Sequence, residues 1–175
     1  MVRNLLAMTR VEAGGLEINR DWVDIRELFD RAVAMAKRRG ATQSFQVAVE
    51  PGLPFAAADP ILFDQVLANL IGNATRYAGL AASIVLRARA DSDAIALSVA
   101  DDGPGIPPAV LPHVFDKFVR APRRAGDAGE GSGLGLAIAK GIVEAHRGSI
   151  AAISPVANGR GTRFEIRLPV EERPR

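Results

Sequence analysis

The sequence has no cysteine, only two histidines and few aromatic residues, which make up 5% of the chain. Without cysteine, disulfides, thiol nucleophiles and thiolate metal sites are excluded. His113 and His146 are too few and too isolated for a histidine-rich metal site. No apolar run approaches the roughly 20 residues of a membrane-spanning helix, and the start lacks the apolar core of a signal peptide. We therefore expect a cytoplasmic location, without direct membrane contact by this chain.

Excess charge of one sign is also missing, since 22 Lys and Arg residues face 20 Asp and Glu residues. The net charge of +2 gives no basic field that would attract nucleic acid. What is present is a globular composition of 175 residues, 48% hydrophobic and 24% charged. A chain of this size buries about two thirds of its unfolded surface and is expected to form one domain.

Hydrophobic periodicity predicts about three helices and about five strands. One helix begins after Asp24, with Glu27 three residues on as in a capping box, and another begins at Asp59-Pro60. Hairpins favour antiparallel pairing of neighbours, so we expect the α+β class. The predicted fold is a two-layer α/β sandwich, with a mixed, mostly antiparallel sheet and the helices on one face. The third helix is expected over about 134–146 and the strands over 44–49, 83–90, 94–100, 149–154 and 163–169.

The domain boundaries follow from the same patterns. In residues 1–15 an apolar helical pattern stops at Gly14-Gly15, which predicts the end of a helix and a linker. Residues 16–170 contain the predicted sandwich, and residues 171–175 form a charged tail. The Gly-, Pro- and charge-rich stretch near 121–132 cannot contribute to a core.

The strand that ends at Asp101 contains a conflict. Counting by twos from Ile95 through Leu97 and Val99 leads to Asp101 on the face that should be buried. A buried carboxylate is costly unless it accepts hydrogen bonds, and the amino group of an adenine could donate one. Gly103 allows a planar ring to approach the backbone closely. The alternative is a tight turn in which backbone amides satisfy the aspartate.

Three further stretches carry potential chemistry. Asn69 and Asn73, four residues apart, project from the same side of a helix, where amide oxygens can help to hold Mg²⁺; alternatively, both face solvent. "GSGLGLAIAKGIVEAH" leads a glycine-rich loop into an amphipathic helix, which suits an anion. It matches neither the GxxxxGK[ST] loop nor a dinucleotide fingerprint. "NGRGTRFEIRLP" is a glycine turn into a strand and alone indicates only a hairpin.

In this order, "NLIGNATRY", "DDGPGI", "FDKF", "GSGLGL" and "GRGTRF" resemble the N, G1, F, G2 and G3 boxes of sensor histidine kinase ATP-binding domains, which have the Bergerat fold. The resemblance covers residues 20–169, and "GRGT" replaces the usual paired glycines. Within the family, "NLLAMTRVEAGGLEINRDWVDI" and "IVEAHRGSIAA" are similar to the potassium-sensing KdpD-type kinases. The resemblance implies that the chain binds ATP and Mg²⁺.

The resemblance also implies roles for single residues. Asp101 reads the adenine amino group, Asn73 carries Mg²⁺, and Asn69 lies on the same wall with a catalytic role. Residues 106–132 correspond to the ATP lid, which Phe115 and Phe118 anchor. Arg76 and Arg120 are expected to act on the phosphates. The remaining nucleotide-binding assignments are Tyr77, Gly103, Gly105, Ile106, Gly131, Gly133, Leu134, Gly135, Leu136 and Thr162.

A histidine kinase also needs a phospho-acceptor histidine on a dimerising helical hairpin. Neither His113 nor His146 matches that position, so residues 1–15 are expected to be the end of the hairpin helix and the acceptor to lie upstream. The expected partners are that hairpin and, through the parent kinase, a response regulator. The chain alone is expected to bind ATP without autophosphorylating. Alternatives are a hydrolysing ATPase of the same superfamily, a nucleotide-sensing regulatory module, and a serine-directed kinase of the same fold.

Overall fold

The computed structural model describes residue 9 and residues 16–120 and 132–171. The predicted helix end and linker over 1–15 lie outside the described residues, except for Thr9, which is helical. Residues 121–131 of the expected lid, including Gly131, and residues 172–175 of the tail also lie outside. Within the described ranges, no helix is long and apolar enough to cross a membrane.

A five-stranded sheet forms one layer of the fold. Along the chain its strands are β2 (Ser44–Val49), β4 (Ser83–Ala90), β5 (Ala94–Asp101), β6 (Ser149–Ile153) and β7 (Thr162–Pro169). Their spatial order is β2-β4-β5-β7-β6, and only the β2–β4 pair is parallel. The mixed, mostly antiparallel sheet is confirmed. A second sheet pairs β1 (Asp21–Val23) with β3 (Ala56–Ala58); strands of three residues carry too little alternation to be predicted.

Three helices form the other layer: α1 (Ile25–Arg38), α2 (Pro60–Tyr77) and α3 (Gly135–Ala145). The side chain of Asp24 caps α1 by accepting the N–H groups of Arg26 and Glu27. Asp59 caps α2 in the same way. Among the residues that the structure describes, no side chain caps α3, which begins directly after the glycine-rich loop. Two of the three helix starts are therefore satisfied within the described chain, and the third is not.

The core lies between the helices and one face of the sheet. Alternate residues of β4, β5 and β7 point into it, as period-two patterning predicts. The apolar stripe that helical spacing predicts on α2 is buried, and Ile71 joins it; the stripe is Phe63, Val66, Leu67, Leu70 and Ala74. These observations confirm the α+β two-layer sandwich. The largest fully buried side chains are Phe29, Phe63, Phe164, Leu28, Leu67, Leu70, Ile71, Ile84, Leu86, Ile95, Leu97 and Ile138.

His146 joins α3 to α2 inside this core. Its ring is 2% exposed and lies edge-on to Phe63, with ring centroids 5.0 Å apart. Nε2 accepts the backbone N–H of Asp59 at 3.0 Å, which requires the other nitrogen to carry the proton. Nδ1–H therefore donates to the carbonyl of Ile142, at 2.7 Å. Both ring nitrogens are used, and only a neutral imidazole fits this arrangement.

The free energy of unfolding is predicted to decrease as the pH falls, because of the protonation of His146. Burial lowers the pKa of His146 below its ordinary 6.5, as does the charge of Arg20, against the opposing effects of the Ile142 bond and Asp59. The unfolded chain therefore binds a proton at higher pH than the folded chain does. The contribution to the free energy of unfolding is complete above about pH 6.5 and is lost as the pH falls toward the lowered folded pKa.

Urea denaturation at a series of pH values between 5 and 8 measures this effect. His146→Gln should lose the pH-dependent component and, because a buried bond is weakened, about 1–3 kcal/mol of stability. His113→Gln changes an exposed histidine and should keep the component that His146 produces. An unchanged pH dependence in His146→Gln would show that the ring does not titrate with folding.

Candidate functional site

Asp101 ends β5 on the face that the alternation predicted. Ile95, Leu97 and Val99 are buried on that face, and Asp101 is half-buried at its end. Burial raises the pKa of Asp101 above its ordinary value, and the negative charge of Asp102 adds to this. The backbone N–H groups of Gly103 and Thr162 act in the opposite direction. The Gly103 N–H donates to Oδ1 at 2.9 Å, so the turn satisfies part of the carboxylate, as the alternative reading held.

The loop after Asp101 packs directly against the end of α2. Gly103 is buried, and a Cβ at this position would lie 2.5 Å from the Cα and 2.8 Å from the Cβ of Ala78. Real Cβ atoms do not approach backbone so closely. The glycine is therefore required for the contact that places the carboxylate beside α2.

The turn before β7 closes onto the same loop. Thr162 is buried and pairs directly with Asp101 in the β5–β7 register. The Gly161 N–H donates to the carbonyl of Gly103 at 2.8 Å. Gly161 has a φ of +84°, and a Cβ there would lie 2.6 Å from the Asp101 carbonyl oxygen. The "DDGPGI" and "GRGTRF" motifs thus form one unit at the end of the central strands.

A second group forms where α3 begins. A Cβ on Gly135 would lie 3.4 Å from Oδ1 of Asn69, so the start of α3 faces Asn69 on α2. Nδ2 of Asn69 is buried and has no hydrogen-bond partner within the described residues. Because no side chain of the described residues caps α3, the N–H groups of its first turn lack a side-chain acceptor within those residues. Unpaired donors around one helix N-terminus are the elements of a phosphate site.

Asn73, Arg76 and Tyr77 continue the wall that α2 presents. Asn73 is half-buried one turn after Asn69, and both Arg76 and Tyr77 are exposed. In the described ranges neither Asn73 nor Arg76 makes a side-chain hydrogen bond or ion pair, which leaves an amide oxygen and a guanidinium for a ligand.

The amide oxygen on this wall of α2 is compatible with Mg²⁺. Within the described residues there is no group of three or more His, Cys, Asp and Glu side chains that could hold a metal. Mg²⁺ does not need such a cage, because it is commonly held by one or two protein oxygens together with phosphate oxygens and water. The amide oxygen of Asn73 is a suitable protein ligand.

The two phenylalanines at the foot of the expected lid make different contacts. Phe115 packs edge-on against the core residue Phe164, with ring centroids 6.1 Å apart. Phe118, the other residue expected to anchor the lid, is 66% exposed. Phe118 instead makes a backbone contact, donating its N–H to the Gly133 carbonyl at 3.0 Å. A Cβ on Gly133, whose φ is +69°, would lie 2.8 Å from the Phe118 Cα.

The other predicted residues lie around these groups. Leu134 is 3% exposed at the start of α3, and Leu136 is half-buried one residue into the helix. Gly105 and Ile106 continue the loop after Asp101, and Arg120 is exposed at the end of the described lid segment. Gly131 lies outside the described residues.

Two residues of this region were not predicted. Buried Gln43 donates from Nε2 to the carbonyls of Thr75 (3.0 Å) and Gly79 (3.1 Å), which fixes the last turn of α2. The side chain of Ser154 forms hydrogen bonds to the loop that follows Asp101 and to the turn that precedes Thr162. Gln43 carries no local signal of its role, and Ser154 has only its place at the end of an apolar strand beside the glycine turn.

Comparison with known proteins identifies the family to which the chain belongs. Residues 58–172 match the family described as histidine kinase-, DNA gyrase B-, and HSP90-like ATPase. The sensor protein KdpD of Escherichia coli K12 is 35% identical over 174 residues, which are 99% of this chain and 19% of the relative. The histidine-protein kinase AfsQ2 of Streptomyces coelicolor is 40% identical over 174 residues, 99% of this chain and 31% of the relative. The chain thus spans a third or less of these relatives.

Solved structures agree. The mycobacterial sensor histidine kinase MprB has a TM-score of 0.73 at 31% identity, over 85% of this chain and 97% of that chain. Full-length ShkA, in complex with AMPPNP, has a TM-score of 0.82 at 29% identity, over 96% of this chain and 35% of that chain.

The contact between Gly103 and Ala78 predicts a cost for one added methyl group. Gly103→Ala should lower the free energy of unfolding by about 1–3 kcal/mol, because the loop must move away from α2. Gly72→Ala is the matched control: Gly72 lies inside α2, and its added Cβ would meet nothing within 4 Å. That change should raise stability by up to about 1 kcal/mol. Urea denaturation followed by circular dichroism measures both, and equal effects would contradict the close contact.

Proposed function

The chain belongs to the histidine kinase-, DNA gyrase B- and HSP90-like ATPase family, as a catalytic domain of the sensor histidine kinase type. We propose that it binds Mg-ATP and donates the γ-phosphoryl group to a histidine on a separate helical hairpin. The observation that carries the proposal is the start of α3 beside Asn69, which no side chain of the described residues caps. The other two helices both begin with an aspartate cap. A phosphate would supply the missing acceptor at the third.

At the base end, Asp101 accepts the adenine amino group. A half-buried carboxylate with a raised pKa is stabilised in its charged form by each further donor, and the amino group is such a donor. The neighbouring loop is held against Ala78 at the end of α2, so the carboxylate has a fixed direction. Tyr77, 41% exposed at the same end of the helix, offers a ring beside the base.

At the phosphate end, the first-turn N–H groups of α3 and the Asn69 amide bind phosphate oxygens. Arg76 and Arg120 add positive charge, and Asn73 supplies the protein oxygen for Mg²⁺. When bound, Mg²⁺ neutralises charge on the phosphates. The protein's contribution to transfer is positioning and charge stabilisation, since phosphoryl transfer requires little covalent chemistry from the protein.

The nucleophile comes from outside this chain. His146 cannot attack, because its ring is buried and both nitrogens are hydrogen-bonded. A neutral imidazole on a hairpin attacks through a lone pair and needs no strong base. Position 69 agrees with this, because the amide of Asn69 cannot act as a base, whereas a carboxylate there could. We place the domain in the cytoplasm as one part of a longer sensor kinase, whose response regulator receives the phosphoryl group.

Binding of a non-hydrolysable ATP analogue tests the base end. We expect Asp101→Asn to weaken binding about tenfold or more, because a charge-assisted hydrogen bond is replaced by a neutral one. Isothermal titration calorimetry measures the change with and without Mg²⁺. Removal of Mg²⁺ should weaken the wild type and the variant by similar factors, since the metal and the base occupy separate ends of the site.

Asp102→Asn is the control for the loss of charge. Asp102 is exposed, and its Oδ1 accepts the Ser83 N–H at 2.9 Å, a bond that an asparagine oxygen can keep. This variant should bind within about twofold of the wild type, because only a solvated charge is lost. A wild-type domain that does not bind the analogue, or equal losses in both variants, would contradict the proposal.

A further inference from the structure

Ser154 occupies the junction of the two glycine loops at the base end. It follows β6 directly and is half-buried. Its Oγ accepts the backbone N–H of Ile106 at 2.7 Å and donates to the carbonyl of Gly161 at 3.0 Å. One hydroxyl therefore contacts the loop that follows Asp101 and the turn that precedes Thr162.

The direction of both bonds is fixed by chemistry. The Ile106 N–H can only donate, so Oγ must accept there, and the hydroxyl proton is left for the Gly161 carbonyl. The proton is thus committed within the protein. Ser154 consequently acts on a ligand through the loops that it holds, and not by donating to the ligand.

The surrounding backbone is fitted to this hydroxyl. Gly105 has a φ of +84°, and a Cβ there would lie 2.8 Å from the Ser154 Oγ. Gly161 bonds on both sides, since its N–H donates to Gly103 while its carbonyl accepts from Ser154. Without the serine, the hydrogen bond between Gly161 and Gly103, just past the end of the β5–β7 pairing, would remain. The Ile106 end of the loop would lose its hydrogen bond to the Ser154 hydroxyl.

We propose that Ser154 is a positioning residue that sets the base end of the nucleotide site, by fixing the loop of Asp101 to Ile106 against the turn at Gly161. This inference rests on the proposed nucleotide binding. It gives a reason for Gly105 within the "DDGPGI" motif, because any side chain there would displace the hydroxyl. The phosphate end, between α2 and α3, does not depend on Ser154.

The test compares Ser154→Ala, Ser154→Thr and Ser149→Ala at a temperature where circular dichroism shows each to be folded. Ser149 is exposed at the other end of β6, which makes it the matched control. Ser154→Ala should bind both the ATP analogue and adenosine about tenfold more weakly, because the part-buried Ile106 N–H loses its acceptor and the loop loses its attachment. Ser154→Thr keeps the hydroxyl and should stay within about threefold of the wild type, and Ser149→Ala should be unchanged.

Amide hydrogen exchange supplies a readout that does not need the ligand. Exchange at Ile106 should be about tenfold faster in Ser154→Ala and unchanged in Ser149→Ala. If Ser154→Ala does not fold, Ser154→Cys takes its place, since its thiol is a weak donor and acceptor of similar shape.

The outcomes separate the two proposals. A wild type that binds no nucleotide overturns the proposed function, and the inference falls with it. A wild type that binds, together with unchanged affinity in the hydroxyl-free variant, overturns only the role of Ser154. A loss confined to the ATP analogue, with adenosine unaffected, also overturns that role, because it would place the effect at the phosphate end.

Discussion

The antiparallel packing of α2 against α3 is the constraint on which the site depends. At one end His146 accepts the Asp59 N–H, and at the other Gly135 faces Asn69. At 1.5 Å per residue, about 15 Å of chain separates Asp59 from Asn69 and about 16 Å separates Gly135 from His146. The two spans match, so the histidine at the far end fixes the register that brings the uncapped start of α3 to the asparagine.

The same helix organises the other end of the site. The loop after Asp101 rests on Ala78, one residue past α2, and Gln43, one residue before β2, holds that last turn. The proposed base recognition therefore lies where α2 ends, and the proposed phosphate binding lies where α3 begins. The described foot of the expected lid packs on the core through Phe115 and is tied to Gly133, just before α3, through the backbone of Phe118.

The sequence predicted what local pattern determines. Period-two alternation placed Asp101 on the inner face, and the aspartates at 24 and 59 marked the starts of α1 and α2. Contacts between distant segments could not be predicted from the sequence, because they arise only when the chain has folded. They are the short β1–β3 pair, the parallel β2–β4 pair, and the hydrogen bonds of Gln43 and Ser154. The sequence predicted Phe118 as an anchor of the lid, but it could not show that the contact is made by the backbone N–H while the residue is 66% exposed.

Phosphoryl transfer to a separate hairpin is the most direct test of the account. The chain would be incubated with Mg²⁺, γ-labelled ATP and the acceptor hairpin of its parent kinase. The account predicts acid-labile phosphate on the hairpin, and none when the acceptor histidine is replaced. An unlabelled, folded hairpin alongside steady conversion of ATP to ADP would contradict it, because the domain would then be a hydrolysing ATPase.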